Sequence, residues 1–211
     1  RQMPTFGTWE HTVLTHAYEE VDYISMHAYY REQDGDAASF LAEGVEMDTF
    51  IDGVISTIDA VKAAGKHSKQ VDISFDEWNI WYNTRFETVD RITGTDNWPI
   101  APRLLEDTYT VSDAVVFGSL LITLLKHADR VTSASLAQLV NVIAPIMTEP
   151  GGPAWKQTTF FPFAATSAHG RGTALAVDIT SGSYDTERFG AVPLVDAVAT
   201  HDEEAGRYAL Y

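Results

Sequence analysis

Short apolar stretches alternate with amphipathic ones along most of this chain, and that alternation limits its fold more than any other feature. Val21 to His27, Val71 to Phe75 and Arg130 to Ala137 have the texture of strands. Helical texture precedes the first of them over Thr8 to Glu20. It then follows each strand in turn, over Glu46 to Ala64, Ser112 to His127 and Trp155 to His169. Within the second of these helices Ile51, Val54, Ile55 and Ile58 stand at i, i+3, i+4 and i+7 on one face, and Gly65 provides a stop. Ser112 is the expected cap of the next helix, whose apolar residues lie on all sides, so other structure must cover it. Parallel strands need long crossovers, which helices supply. Three successive strand–helix units therefore predict an α/β fold, a parallel sheet with helices outside.

From Gly172 the texture changes. Thr173 to Ile179 and Val192 to His201 are rich in Val, Thr and Ala and are broken by turn residues, and Asp202 to Gly206 reads as a hairpin loop into a last strand, Arg207 to Tyr211. The division expected is an α/β unit over 1–171 and the start of an all-β module over 172–211. Between strand and helix, Thr84 to Pro102 forms a long polar loop of the kind that rims functional sites. The chain begins without Met and stops inside an apparent strand, so it reads as a piece of something longer.

Charge narrows the partners. Asp+Glu number 30 against 14 Lys+Arg, a formal net charge of -16, which opposes binding to nucleic acid or to an anionic membrane. A neutral ligand such as a carbohydrate is compatible with it. With 0 cysteines, disulfides, thiolate metal sites and Cys nucleophiles are excluded. No apolar run reaches the length of a membrane span, and Arg1 to Pro4 does not open a signal peptide, so the expected location is cytoplasmic.

The chemistry concentrates in Asp72-Ile73-Ser74-Phe75-Asp76-Glu77-Trp78-Asn79-Ile80-Trp81, an apolar strand ending in two carboxylates among aromatic rings. Burying a carboxylate costs several kcal/mol unless it is paired or hydrogen-bonded, so two in a row mark a site. Aromatic faces beside carboxylates suit a pocket that holds a sugar ring and breaks its glycosidic bond. The other distinctive polar residues, His27, Tyr29 and Gln138, fall at the exits of the neighbouring strands. If the sheet is part of a (β/α)8 barrel, these exits form its active face. Simple strand alternation puts Ser25, His27 and Tyr29 on one side and Ile73, Phe75 and Glu77 on one side. If both sides face the barrel axis, Tyr29 and Glu77 converge.

These segments, together with Met3-Pro4-Thr5-Phe6-Gly7-Thr8-Trp9-Glu10, Val21 to Tyr30, Ala137 to Ile146 and Gly152 to Gln157, resemble the C-terminal part of glycoside hydrolase family 51 α-L-arabinofuranosidases. The resemblance covers essentially the whole chain. It implies strands six to eight of a (β/α)8 barrel followed by the beginning of a β-sandwich. It further implies a retaining mechanism with Glu77 as nucleophile, Tyr29 bonded to it and to the sugar, Gln138 on the arabinose hydroxyls and Trp81 as pocket wall. His27 is expected at the same rim and Asp76 as a supporting partner. The family's acid/base Glu sits in a Gly-Asn-Glu motif that these 211 residues lack, so it is expected upstream of Arg1. A homo-oligomer, a hexamer in the family's pattern, is a further implication.

The residues admit plainer readings. Glu77 could cap the next helix, Tyr29 and Trp81 could be ordinary packing, His27 a satisfied core histidine, and Gln138 a tie for backbone. His11 and His16 are not at the i, i+4 spacing of a zinc helix, and neither a metal nor a cofactor is expected. Two other functions stay open at this point: a β-xylosidase or endoglucanase on a similar barrel, and a non-catalytic carbohydrate-binding or assembly domain.

Overall fold

The computed structural model describes residues 3–82, 94–96, 100 and 106–211. Most of the loop expected over 84–102 lies outside the described residues. Three parallel strands, β1 (Tyr23–Tyr30), β2 (Asp72–Ile80) and β3 (Val131–Leu136), form a sheet in the order β1-β2-β3. Helices α1 (Thr8–Ala17), α3 (Glu43–Gly65) and α4 (Val111–Lys126), with the short α2 (Ala37–Leu41), complete the α/β alternation. The core forms where Ile24, Met26 and Tyr30 of β1 and Ile73 and Phe75 of β2 meet Leu14, Ile51, Val54, Phe117 and Leu120 of the helices. Gly44 admits the close approach of α3 to α4, since a Cβ there would stand 2.7 Å from Ser119 Oγ.

The opposite face of the sheet is bare. Ser25, His27, Asp76 and Glu77 are exposed there, and among the described residues β1 and β3 each pair only with β2.

Several boundaries differ from expectation. α1 ends at Ala17 rather than Glu20. α3 starts earlier, at Glu43, and ends at Gly65, with the left-handed turn residue being Lys66 (φ 57°). The cap of α4 is Thr110, not Ser112. Its hydroxyl accepts from Asp113 N–H while the Asp113 carboxylate accepts from Thr110 N–H, a reciprocal box that Asp completes in place of the usual Glu. Trp155 is not helical: Ala154–Lys156 (β5) pairs antiparallel with Ile146–Thr148 (β4), and the helix α5 begins at Phe160 and runs to His169. Helix and strand textures overlap in a short aromatic run such as this, and pairing with β4 decides the outcome.

The last part is all-β, as its composition predicts. β6 (Thr173–Leu175), β9 (Ala199–Asp202) and β10 (Arg207–Leu210) form an antiparallel sheet ordered β10-β9-β6, and β7 (Ser183–Thr186) pairs with β8 (Gly190–Pro193). The β7–β8 hairpin locks onto the α/β part through its tip. Arg188 pairs with the buried Glu43, and its backbone N–H donates to Ser39 Oγ at 3.1 Å.

The simple alternation predicted for β2 is wrong, and the reason matters for the site. Ile73 and Phe75 are fully buried under the helices, whereas Ser25, His27 and Tyr29 occupy the opposite face. β1 advances two residues from Ser25 to His27 while β2 advances three from Ser74 to Glu77. Against β3 the same extra residue appears between Phe75 and Trp78. A bulge of this kind reverses which face the following side chains occupy. Both carboxylates therefore emerge on the bare face, inside a strand that continues to Ile80 rather than past its end.

Candidate active site

The bulge sets Glu77 beside His27 in register, with Tyr29 two pairs further along, opposite Asn79. The Tyr29 hydroxyl donates to Glu77 Oε2 at 2.8 Å. His27 Nδ1 stands 3.5 Å from the same oxygen, and His27 Nε2 stands 3.1 Å from Asp76 Oδ1. Ser25 completes the group by donating its hydroxyl to Asp76 Oδ1 at 2.7 Å. Just beyond β2, Trp81 meets the Tyr29 ring edge-on, with centroids 5.1 Å apart, and its indole N–H has no hydrogen-bond partner among the described residues.

Burial, and then the hydrogen bond to Glu77, raise the Tyr29 phenol to about 12. The phenol thus stays protonated and keeps donating through neutral pH.

Of the residues singled out from the sequence, the structure joins Tyr29, His27, Glu77 and Trp81 by direct contacts. Gln138 lies on the loop leaving β3, exposed and with a left-handed backbone (φ 72°), and among the described residues it makes no hydrogen bond to the other four. Asp76 belongs to the same polar group as Glu77 through His27.

Sequence reading missed what holds this arrangement. Asn79 is 1% exposed, and its carboxamide donates to the carbonyls of Ala137 (2.8 Å) and Ile143 (2.6 Å) while accepting from Ile80 N–H. It therefore grips both ends of the loop that carries Gln138. The buried Tyr109 hydroxyl reaches the carbonyls of Ile80 and Ile143 at 2.6 and 3.0 Å. Gln157, buried, donates to the carbonyls of Asp107 and Ala144 and accepts from Tyr109 N–H. The available signal was a polar Asn inside an otherwise apolar strand end, which must be hydrogen-bonded if buried.

A cavity of about 500 Å³ adjoins the group, lined by Ser25, His27 and Tyr29 and by Phe6 and Trp9 from the start of the chain. It wraps around the edge of β1 away from β2, since Met26 and Tyr30 from the opposite face line it too. Among the described residues, no cluster of three or more potential ligands could hold a metal ion, and no helix is long and apolar enough to cross a membrane.

Comparison with known proteins adds the context. The family described as α-L-arabinofuranosidase C-terminal domain matches residues 76–207. The chain is similar to an intracellular exo-α-(1→5)-L-arabinofuranosidase of Streptomyces lividans, with 59% identity over 199 residues, covering 94% of this chain and 30% of that protein. It is also similar to an exo-α-(1→6)-L-arabinofuranosidase of Bifidobacterium longum, with 56% identity over 208 residues, covering 96% of this chain and 40% of that protein. Among solved structures, a family 51 α-L-arabinofuranosidase from Bifidobacterium longum superposes with a TM-score of 0.90 at 51% identity, covering 99% of this chain and 42% of that one. The chain thus spans less than half the length of each of these relatives.

Proposed function

The chain belongs to the family 51 α-L-arabinofuranosidases, matching their C-terminal part, and we propose from this premise that it carries the nucleophile half of a retaining arabinofuranosidase site. The observation that supports this most directly is the Tyr29 hydroxyl on Glu77 Oε2 at 2.8 Å. Among the described residues the contacts to Glu77, from Tyr29 and His27, fall on Oε2, which leaves Oε1 to attack.

In the proposed reaction Glu77 Oε1 forms a bond to C1 of a terminal arabinofuranosyl unit as the bond from C1 to the leaving oxygen breaks. A second carboxyl group donates its proton to that oxygen. Retention requires it about 5–5.5 Å from Glu77, and the family's acid/base Glu, expected upstream of Arg1, fills this role. Water then attacks C1 of the ester, giving its proton to the second carboxylate and restoring Glu77. Trp81 walls the pocket beside Tyr29, Gln138 binds arabinose hydroxyls and His27 contacts the site from its rim. The chemistry needs no metal or cofactor.

The fold reading goes with it. A parallel sheet covered by helices on one face, with the other face bare and carrying the polar residues, fits strands six to eight of a (β/α)8 barrel better than a doubly wound sheet, whose two faces are both covered. On this reading 1–171 is the end of the barrel and 172–211 the start of the β-sandwich. Substrates are arabinan or arabinoxylan oligosaccharides, and the relatives named for α-(1→5) and α-(1→6) linkages support an exo-acting enzyme. The word "intracellular" in the Streptomyces relative's name supports a cytoplasmic location. Assembly as a homo-oligomer, hexameric in the family's pattern, rests on the resemblance.

Turnover of aryl α-L-arabinofuranoside, aryl β-D-xyloside and cello-oligosaccharides by the polypeptide containing this chain tests the reading. Arabinofuranoside is expected to be hydrolysed fastest by a wide margin; no arabinofuranoside turnover would contradict it.

A further inference from the structure

The group around Asp76 holds more than the reaction above uses. Ser25 spends its one proton on Asp76 Oδ1 at 2.7 Å, so toward His27 Nε2, 3.3 Å away, its oxygen can only accept. Asp76 Oδ1, 3.1 Å from the same nitrogen, is likewise an acceptor. Nε2 therefore carries a hydrogen. A neutral imidazole would then present the lone pair of Nδ1 to Glu77 Oε2 at 3.5 Å, lone pair against carboxylate. The arrangement is satisfied when both ring nitrogens bear hydrogens, each turned toward a carboxylate.

We infer that Asp76 is a positioning residue that acts through His27: it keeps an N–H rather than a lone pair turned toward Glu77, and it remains as the counter-charge when Glu77 is esterified. The inference rests on the reading of Glu77 as nucleophile. Before attack, His27 lies between two negative groups. When Glu77 bonds to C1 its charge is lost, and a cation beside an oxocarbenium-like centre would be unfavourable without a remaining anion. Asp76 is that anion, and the same β2 bulge that turns Glu77 outward is what brings it to the open face. With its side chain 43% exposed and the core residues of β2 on the other face, Asp76 contributes little packing. Its loss should therefore be felt in rate rather than in folding.

The test is a double-mutant cycle in the polypeptide containing this chain, with an aryl α-L-arabinofuranoside as substrate. Asp76→Asn keeps the shape and the acceptor for Ser25 and removes the charge. It is expected to lower kcat about tenfold to a hundredfold, on the scale of other carboxylates that orient a functional histidine, with KM changed less than about threefold. Asp76→Asn combined with His27→Gln is expected to be no slower than His27→Gln alone. Ser25→Ala, a milder change should Asp76→Asn fold poorly, is expected to lower kcat by about threefold at similar KM. Parental kcat in Asp76→Asn, or losses that multiply in the double variant, would overturn the inference. Glu77→Ala separates the two levels. Turnover abolished there while Asp76→Asn is parental removes the positioning role alone, whereas parental turnover in Glu77→Ala removes the nucleophile reading and this inference with it.

Discussion

Tyr29 and Glu77 sit on adjacent parallel strands, two register pairs apart, and the phenol of the first donates to Oε2 of the second at 2.8 Å. That bond exists because one extra residue in β2 turns Glu77 out of the helix-covered face. A hydrogen bond to a charged acceptor contributes about 1.5–3 kcal/mol. Tyr29→Phe is accordingly expected to lower kcat/KM by about tenfold to a hundredfold without a change in melting temperature beyond a few degrees. Because the phenol is raised to about 12, its donor is lost only as pH climbs toward that value, so no alkaline limb below about pH 10 should disappear in Tyr29→Phe. Steady-state kinetics across pH check both statements.

Asn79 holds the loop of Gln138 by two hydrogen bonds to its carbonyls and is itself fixed by a third from Ile80 N–H. Asn79→Leu takes the Asn79 partner from the Ala137 carbonyl and the Ile80 N–H, while the Ile143 carbonyl keeps the Tyr109 hydroxyl, at a cost of about 2–4 kcal/mol. Urea denaturation should show that loss, and KM for the arabinofuranoside should rise as Gln138 loses its place. A parental urea midpoint would show that the loop holds itself.

Burial raises Glu43, whose side chain is 2% exposed, while the Arg188 guanidinium opposes that shift. Arg188 arrives from the β7–β8 hairpin, so this pair joins the two parts of the chain. Arg188→Ala strands a buried carboxylate and is expected to cost about 3–5 kcal/mol at pH 7. Because the folded-state value of Glu43 is raised, and more so without Arg188, acid should narrow the deficit as the carboxyl takes up a proton. Unfolding free energies of parent and variant at pH 7 and pH 5 measure it. A deficit independent of pH would assign the loss to packing.

His127 and Asp48 join α4 to α3 at 2.8 Å. Their hydrogen bond raises His127 above 6.5 and lowers Asp48 below 3.8. The contribution of the raised His127 is complete below about pH 6.5 and fades as pH rises through its folded-state value. That of Asp48 is present above about pH 3.8 and is lost as pH falls further. Asp48 is half exposed, so solvent screening limits the pair to about 0.5–1 kcal/mol. The urea midpoint of His127→Gln should fall below that of the parent at pH 5.5, and the gap should close toward pH 8.5.

The α/β alternation and the change to β structure after Gly172 were legible because each rests on local periodicity and composition. The residues of the site were legible as types: Glu77, Tyr29, His27 and Trp81 do meet. Their meeting was expected for a mistaken reason, since plain alternation groups Glu77 with Ile73 and Phe75, which are buried. A bulge depends on pairing with both neighbouring strands, and one strand's own residues do not announce it. Asn79, Tyr109 and Gln157 were silent for a related reason, because their partners are backbone carbonyls and amides whose positions no side-chain pattern records. Trp155 and the capping Thr110 were misread where aromatic and hydroxyl residues suit two structures equally.

In the proposed reaction Glu77 forms the glycosyl ester. An arabinofuranoside with a 2-fluoro substituent and a good leaving group slows hydrolysis of that ester more than its formation, so the intermediate accumulates. Peptide mass spectrometry of the trapped polypeptide is expected to find one fluoroarabinosyl unit on the peptide containing Phe75-Asp76-Glu77-Trp78, located at Glu77, and none in Glu77→Ala. A label on any other residue, or turnover of the parent arabinofuranoside by Glu77→Ala at an undiminished rate, would contradict the account.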